Sequence, residues 1–297
     1  MAKDIRVIII KLADRLHNCR TIEFMPDHKR DKILSETMFV FIPLAHRLGL
    51  YGIKSEMEDI WLRYKQPEAF NEITEKINRN ISDKDREITE FIAPIDDALK
   101  AAGFRYEIKK RVKTPYSIWN KMNNKGIAFD QIYDLYAVRI IFDPDKESKE
   151  TERDQCYHVF SIITGLYRYK ADRVRDWVNY PKNNGYEALH CTLMSNAGFW
   201  IEVQIRSTRM NEIAEKGIAA HWAYKKNGFA EENESEMDKW ISKVKDILVN
   251  PDVSALELLD MIHNDLIQSD IVVFTPKGEQ RSIEKGATAL DFAYSIH

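Results

Sequence analysis

In the stretch FRYEIKKRVKTPYSIWNKMNNK, the cations Arg105, Lys109, Lys110, Arg111, Lys113, Lys121 and Lys125 face a single acid, Glu107. Residues two apart share one face of a strand, so Arg111 near the end of the predicted strand RYEIKKRV and Lys113 just beyond it would project together if the strand conformation continues. Residues four apart share one face of a helix, so Ser117 and Lys121 do the same on the predicted helix YSIWNKM. A strand running into a helix with Lys, Ser and Lys aimed at its mouth suits a polyphosphate. The helix start offers unpaired N–H groups and the ammonium groups offer charge. A solvated basic face is the plainer alternative.

Two carboxylates follow. Asp134 precedes the predicted strand LYAVRII, and Glu202 sits inside FWIEVQIRS, where Ile201, Val203 and Ile205 point one way and Glu202, Gln204 and Arg206 the other. An acid at one strand mouth and another on a neighbouring strand is an arrangement that holds Mg²⁺ for phosphoryl transfer, although a half-exposed sheet face reads the same way. In RVRDWVNYPKNNGYEALH, Arg173, Arg175 and Lys182 precede Tyr186. A tyrosine ring can stack on a nucleobase, Asn184 can read base edges and His190 can reach a phosphate; a core aromatic beside a turn is the alternative. Asn184-Gly185 predicts a type I′ turn, with positive φ at both residues. In IIIKLADRLHNCRT, Asp14 and Asn18 share a helical face beside His17, either as a local pair or as one edge of a metal cluster. No His-Asp dipeptide occurs in the chain to complete such a cluster.

The elements that must position these groups are legible in outline. Residues 1 to about 65 read as helical, with Ile9, Leu12 and Leu16 and then Phe39, Ile42 and Leu44 at helical intervals and Pro26 and Pro43 as punctuation. Pro67 to Leu99 reads as one or two more helices, and from Phe104 the texture turns to strands with helices between them. The fold class expected is α+β: a mixed sheet flanked by helices, preceded by an all-helical piece. DPDKESKETERDQ, residues 143–155, reads as a mobile surface loop. An acidic linker spans Gly228 to Met237, an amphipathic helix Ser254 to Ile267, and the last segment reads as strand, Pro-Lys-Gly turn, strand and a helix opening at Thr288.

Composition narrows the class. Of 297 residues 44% are hydrophobic and 31% charged, which suits a soluble globular protein. The N-terminal apolar run is short and broken by Lys11, unlike a signal peptide or membrane span. Cys19, Cys156 and Cys191 are few and far apart, so we expect reduced thiols in the cytoplasm and neither a disulfide frame nor a zinc site. A net charge of -3 and a single basic segment speak against a template-dependent polymerase, which would want broad positive charge for a duplex. Both ends read as cut from a longer chain.

Taken together, KLADRLHNCRT, RVKTPYSIWNKM, AFDQIYDLYAVRII, RVRDWVNYPKNNGYEALH, IEVQIRSTRMNEIAEKGIAAHW and VVFTPKGEQRSIEKGATALDFAYSIH resemble the long RelA/SpoT homologue family, which makes and often degrades the alarmones ppGpp and pppGpp. The resemblance implies an incomplete HD-type hydrolase domain over 1–66, a (p)ppGpp synthetase domain with a nucleotidyltransferase-like sheet over 67–226, a linker and helix over 227–267, and the start of a β-grasp-like TGS domain over 268–297. It implies transfer of pyrophosphate from ATP to the ribose 3′-hydroxyl of GDP or GTP, a GTP diphosphokinase activity of the stringent response. Arg111 would stack on adenine, while Lys113, Ser117 and Lys121 would hold ATP phosphates. Asp134 would bind Mg²⁺, and Glu202 would share it and act as base. Arg173, Arg175, Lys182, Asn184, Tyr186 and His190 would form the guanine-nucleotide side.

The full-length parent would meet ribosome and deacylated tRNA through its C-terminal regions, with no membrane partner. A non-catalytic regulatory or ribosome- and tRNA-binding fragment is the rival reading. Two departures stand out. The family's Arg-x-Lys-Asp string is here Arg173-Val174-Arg175-Asp176, which keeps the charge of the bifunctional group but replaces a point charge with a planar fork. Glu187 stands where Gln is more usual, and we expect it to face solvent. Asp14, Asn18 and Thr21 match the hydrolase site only in part, so Mn²⁺ binding and hydrolase activity are not expected.

Overall fold

Alternation of apolar and polar side chains builds the central sheet. The computed structural model describes residues 5–132, 134–182, 184–217, 271–274, 280–283 and 288–296. Strands β1 (Arg105–Val112), β2 (Tyr136–Asp143), β3 (Arg175–Asp176), β4 (Leu189–Met194) and β5 (Trp200–Ser207) form one five-stranded sheet in the order β1-β2-β5-β4-β3. β2 and β5 pair in parallel and all other neighbours are antiparallel. This is the mixed sheet expected. β3, only two residues long, was not anticipated.

Before the sheet come helices α1 (Ile5–Arg20), α2 (Asp27–Glu36), α3 (Ile42–Arg47) and α4 (Tyr51–Lys65), and their facing residues Ile8, Leu12, Leu16, Leu44 and Met57 make a core of their own. Between α2 and α3 a π turn, Thr37–Phe41, precedes Pro43, whose ring would clash with a regular helix. That turn leaves Phe39 54% exposed, so it does not share the buried stripe with Ile42 and Leu44 as its spacing suggested.

Pro67–Ala101 is a single 35-residue helix, α5, and it runs through Pro94. Its buried stripe, Ile73, Ile77, Ile88, Phe91, Ile95 and Leu99, recurs every three or four residues apart from one longer step. That stripe packs with α7 (Glu152–Leu166) against Val138, Ile140, Val203, Ile205, Cys191 and Leu193, the apolar face of the sheet. Pro115–Lys125 forms α6, with Thr114 capping the Ser117 N–H, Pro115 in the first turn and Gly126 at φ 61° closing the end. Thr208–Lys216 forms α8, capped by Ser207, on the other side of β5 and β2.

The segment after β2 lies on the surface, as its composition suggested, but its last residues, from Glu152, belong to α7. Gln155, buried, accepts from the Asp145 N–H and donates to the Asp145 and Glu150 carbonyls, while Thr151 and Asp154 cap α7. Side-chain bonds to the backbone replace the apolar anchors that the segment lacks. At the C-terminus β6 (Ile271–Phe274) and β7 (Gln280–Ile283) pair antiparallel, and α9 (Ala289–Ile296) opens with Thr288 accepting from the Asp291 N–H. The expected linker at 228–237, the helix at 254–267 and the end of the helix after Gly217 lie outside the described residues. Among the described residues no helix is long and apolar enough to cross a membrane.

The helical piece and the sheet meet backbone to backbone at two glycines. A Cβ on Gly217, which sits at φ +55°, would lie 2.3 Å from the Leu48 carbonyl oxygen and 2.7 Å from the Gly49 carbonyl carbon. Neither backbone can give way cheaply, and an L side chain is strained at this φ and ψ -137°. Gly217→Ala is expected to cost about 3 kcal/mol, from strain and overpacking together, and to lower the urea midpoint accordingly. An unchanged midpoint would show that the junction does not support the fold.

Candidate active site

Asp134 lies in the connection between α6 and β2. Lys113, just past the end of β1, donates to one carboxylate oxygen at 2.8 Å, and Lys121 on α6 donates to the other. Burial raises the Asp134 pKa, but the two ammonium groups outweigh it and hold the carboxyl at about 2. The group is therefore an anion at neutral pH and available as a hard oxygen ligand. Ser117 sits one helical turn before Lys121, and Lys113, Ser117, Lys121 and Lys125 line one cleft of about 390 Å³. The phosphate-holding set expected from sequence is thus brought together.

Register places Glu202 next to this cluster. In the parallel β2–β5 pair Glu202 stands beside Ala137, three residues on from Asp134, and across β1 the same row ends in Arg111. Row partners share a face, so Arg111 and Glu202 look out of the same, polar side of the sheet. Glu202 accepts from Gln204 Nε2 at 2.6 Å. Gln204 in turn accepts from Arg206 at 3.0 Å, and Arg206 donates to the Tyr186 hydroxyl. The Tyr186 hydroxyl and His190 Nε2 lie 2.8 Å apart, and His190 Nδ1 comes back to within 3.7 Å of Glu202.

A ring of polar groups thus links the acid to the tyrosine. Burial, with Arg206 and Lys182 nearby, pushes the His190 pKa down to about 3. His190 is therefore neutral at physiological pH and carries a single N–H, not a charge. Arg206 was visible in the sequence as part of an alternating polar row, but its burial to 2% exposure was not. A buried guanidinium can be inferred only once the partners across the sheet are known.

The loop carrying Tyr186 differs from expectation. Gly185 has φ 76°, and no other described residue but glycine has positive φ, so Asn184 is not in a type I′ turn. Instead the Gly185 N–H donates to the Lys182 carbonyl and the Lys182 N–H to the Tyr186 carbonyl, a three-residue loop closed by a glycine bulge. Asn184 spends its side chain on this loop: Oδ1 accepts from the Tyr186 N–H and Nδ2 donates to the Tyr51 hydroxyl of α4. Tyr186 is buried, with the Lys182 ammonium 5.1 Å and the Arg206 guanidinium 4.8 Å from the ring centroid. Glu187 does not face solvent: it forms a bidentate pair with Arg209 of α8 at 2.6 and 3.0 Å, directed away from the loop. Arg209 supplies a counter-charge that sequence distance had hidden.

Other expected residues lie farther out. Arg173 ends a short 3₁₀ turn, and Arg175 on edge strand β3 bonds the carbonyls of Asp172 and Val174. Asp14 and Asn18 pair on α1 at 3.3 Å and Thr21 bonds the His17 carbonyl, all within the helical piece. Among the described residues no three His, Cys, Asp or Glu cluster as a metal site. The two acids at the sheet are a smaller set, and they suit Mg²⁺, which is typically held by one or two carboxylates together with waters and substrate phosphates.

Comparison with known proteins agrees with this architecture. A model of the region found in RelA and SpoT proteins matches residues 110–229, an HD domain model matches 1–51 and a TGS domain model matches 271–297. In these three regions, taken in their order along the chain, it is similar to proteins of the RelA/SpoT homologue family. It is 38% identical over its whole length to a GTP pyrophosphokinase of Myxococcus xanthus, covering 38% of that protein. It is 36% identical to the bifunctional (p)ppGpp synthase/hydrolase SpoT of Escherichia coli, covering 41% of it. The chain therefore spans about two fifths of the length of these relatives. The small alarmone synthetase 1 of Bacillus subtilis, solved with its product pppGpp, matches 65% of the chain and 98% of its own at 17% identity and a TM-score of 0.38, a loose likeness.

The Asp134 pKa makes a pH prediction. Its folded value lies below the ordinary 3.8, so the stability it contributes is complete above about pH 4 and is lost as pH falls through about 2. That difference corresponds to about 2 kcal/mol. Asp134→Asn is expected to lower unfolding free energy by about that amount at pH 7, with the gap from the unaltered chain narrowing between pH 4 and 2. A gap that stays constant across this range would rule out the paired-lysine assignment.

Proposed function

We propose that the chain is a (p)ppGpp synthetase that moves the β,γ-diphosphate of ATP to the 3′-hydroxyl of GDP or GTP. The observation that carries this reading is one acid gripped by two lysines beside a second acid on the adjacent parallel strand. The relatives, a GTP pyrophosphokinase and a (p)ppGpp synthase/hydrolase, support the same substrates.

In this reading the cleft beside α6 takes the ATP phosphates. Lys113, Lys121 and the Ser117 hydroxyl lie there, and Arg111 stands at the end of β1 to lie over adenine. Asp134 and Glu202 would hold Mg²⁺, which neutralises charge on the transferring phosphates. When ATP arrives, its phosphates compete with Asp134 for the two lysines and free carboxylate oxygen for the ion. The 3′-oxygen of the acceptor attacks the β-phosphorus, the bond to the α,β-bridging oxygen breaks, and AMP departs with that oxygen. Glu202 takes the 3′-hydroxyl proton, and Gln204 fixes which carboxylate oxygen faces it.

The guanine side is Tyr186 with Lys182, Asn184, His190, Arg173 and Arg175. Lys182 stands over the Tyr186 ring and would move to the acceptor phosphates as the base settles on that face, while Arg206 holds the ring from its hydroxyl.

Steady-state assays with ATP, GDP and Mg²⁺ test the roles. Glu202→Gln should lower kcat by roughly two to four orders of magnitude while leaving the fold and nucleotide affinity near normal. Full activity in that variant would remove Glu202 as the base. Tyr186 calls for a variant that respects its burial. Tyr186→Leu should raise the GDP KM roughly tenfold and leave the ATP KM alone, whereas Tyr186→Phe should keep GDP affinity within about threefold. Equal loss of affinity for both nucleotides in Tyr186→Leu would identify a core aromatic instead.

A further inference from the structure

The phosphate cleft has a wall that does not come from the sheet. Besides Lys113, Ser117, Lys121 and Lys125 it is lined by Lys54 and Glu58 of α4. We infer that Lys54 is a third phosphate-binding lysine, delivered to ATP by the N-terminal helical piece, so that this piece completes the synthetase site. The inference rests on the synthetase reading above and extends it to a residue outside the sheet and its helices.

Lys54 is positioned for this by contacts that fix α4 on α6. Asp59 accepts the Tyr116 N–H in the first turn of α6 at 2.9 Å, and the Trp61 ring packs edge-on to Tyr116 and tilted to Trp119 at centroid distances of 6.1 Å. The start of α6, with its Ser117 hydroxyl, is thereby held against the helix that carries Lys54. The ammonium rests on Glu58 Oε1 at 2.5 Å, one turn along the same helix.

That pair is poorly built for stability alone. Glu58 is 4% exposed and its second carboxylate oxygen has no hydrogen-bond partner. A buried acid half-satisfied by one flexible lysine costs desolvation that the pair barely returns. The arrangement makes sense as a parking position. Charge balance points the same way. Lys113 and Lys121 already share Asp134, so the cleft offers a triphosphate less positive charge than its lysine count implies. A lysine that swings from Glu58 to phosphate adds charge when substrate is present. Burial also holds the Glu58 carboxyl above its ordinary pKa, against the pull of Lys54, so it can take up a proton once the lysine leaves.

The test is calorimetric binding of a non-hydrolysable ATP analogue with Mg²⁺, and separately of GDP, to the full chain. Lys54→Met with Glu58→Gln removes the cation without leaving a buried charge. It should weaken analogue binding roughly tenfold or more and leave GDP affinity within about twofold. Glu58→Gln alone frees Lys54 and should tighten analogue binding, and Lys54→Arg should bind it within about threefold of the unaltered chain. Unaltered analogue affinity in both the double variant and Glu58→Gln overturns the Lys54 assignment while the synthetase reading stands. Loss of analogue and GDP binding together overturns it as well, because Lys54 would then be structural. No analogue binding by the unaltered chain overturns the synthetase reading and this inference with it.

Discussion

Asp134 and its two lysines come from three separate pieces of backbone: the end of β1, the second turn of α6 and the connection that leads into β2. Their mutual attraction therefore sets where β1 turns into α6 and where β2 begins. It also offsets the repulsion between two ammonium groups that line one cleft. Charge separation at this distance is worth most where water is scarce, and Asp134 is partly buried. The same interaction that joins these segments holds in place the lysines proposed to bind phosphate, and the proposed reaction begins by exchanging Asp134 for phosphate at those lysines.

Around that point the sheet keeps its two faces apart. The apolar face is sealed by α5 and α7, which leaves the opposite face to carry Arg111, Glu202, Gln204, Arg206 and His190 in register. Because β2 and β5 run parallel, the acid on β5 falls beside the start of β2, close to Asp134 along the chain. An antiparallel pair in the same order would put Glu202 level with the far end of β2. The N-terminal helices add a third component. They touch the acceptor loop through Tyr51 and Asn184, and they touch the phosphate cleft through α4, so both proposed substrate sides rest on that piece.

Local pattern made much of this readable. The mixed α+β sheet without its short edge strand β3, the helix behind Thr114 and the paired polar and apolar faces of β5 all follow from alternation and capping. Lys113, Ser117, Lys121 and Asp134 were legible as a group because they are close in sequence and their spacings match a strand and a helix. What stayed hidden depends on contacts between distant segments. Glu187 pairs with Arg209, Asn184 with Tyr51, and Arg206 is buried beneath Tyr186; each is a polar side chain whose partner lies 20 residues away or more. The turn at Gly185 was misread for a different reason. Asn-Gly favours a type I′ hairpin in isolation, but here the loop is one residue longer and, among its described residues, only the glycine takes positive φ.

Product identity tests the central claim most directly. Phosphorus NMR of a mixture of the chain with ATP, GDP and Mg²⁺ should show AMP accumulating in step with a guanosine that bears diphosphates at both the 5′ and 3′ positions. Each is formed at the expense of one ATP. Formation of ADP and GTP, or of free pyrophosphate with unaltered GDP, would contradict transfer of an intact diphosphate to the 3′-hydroxyl.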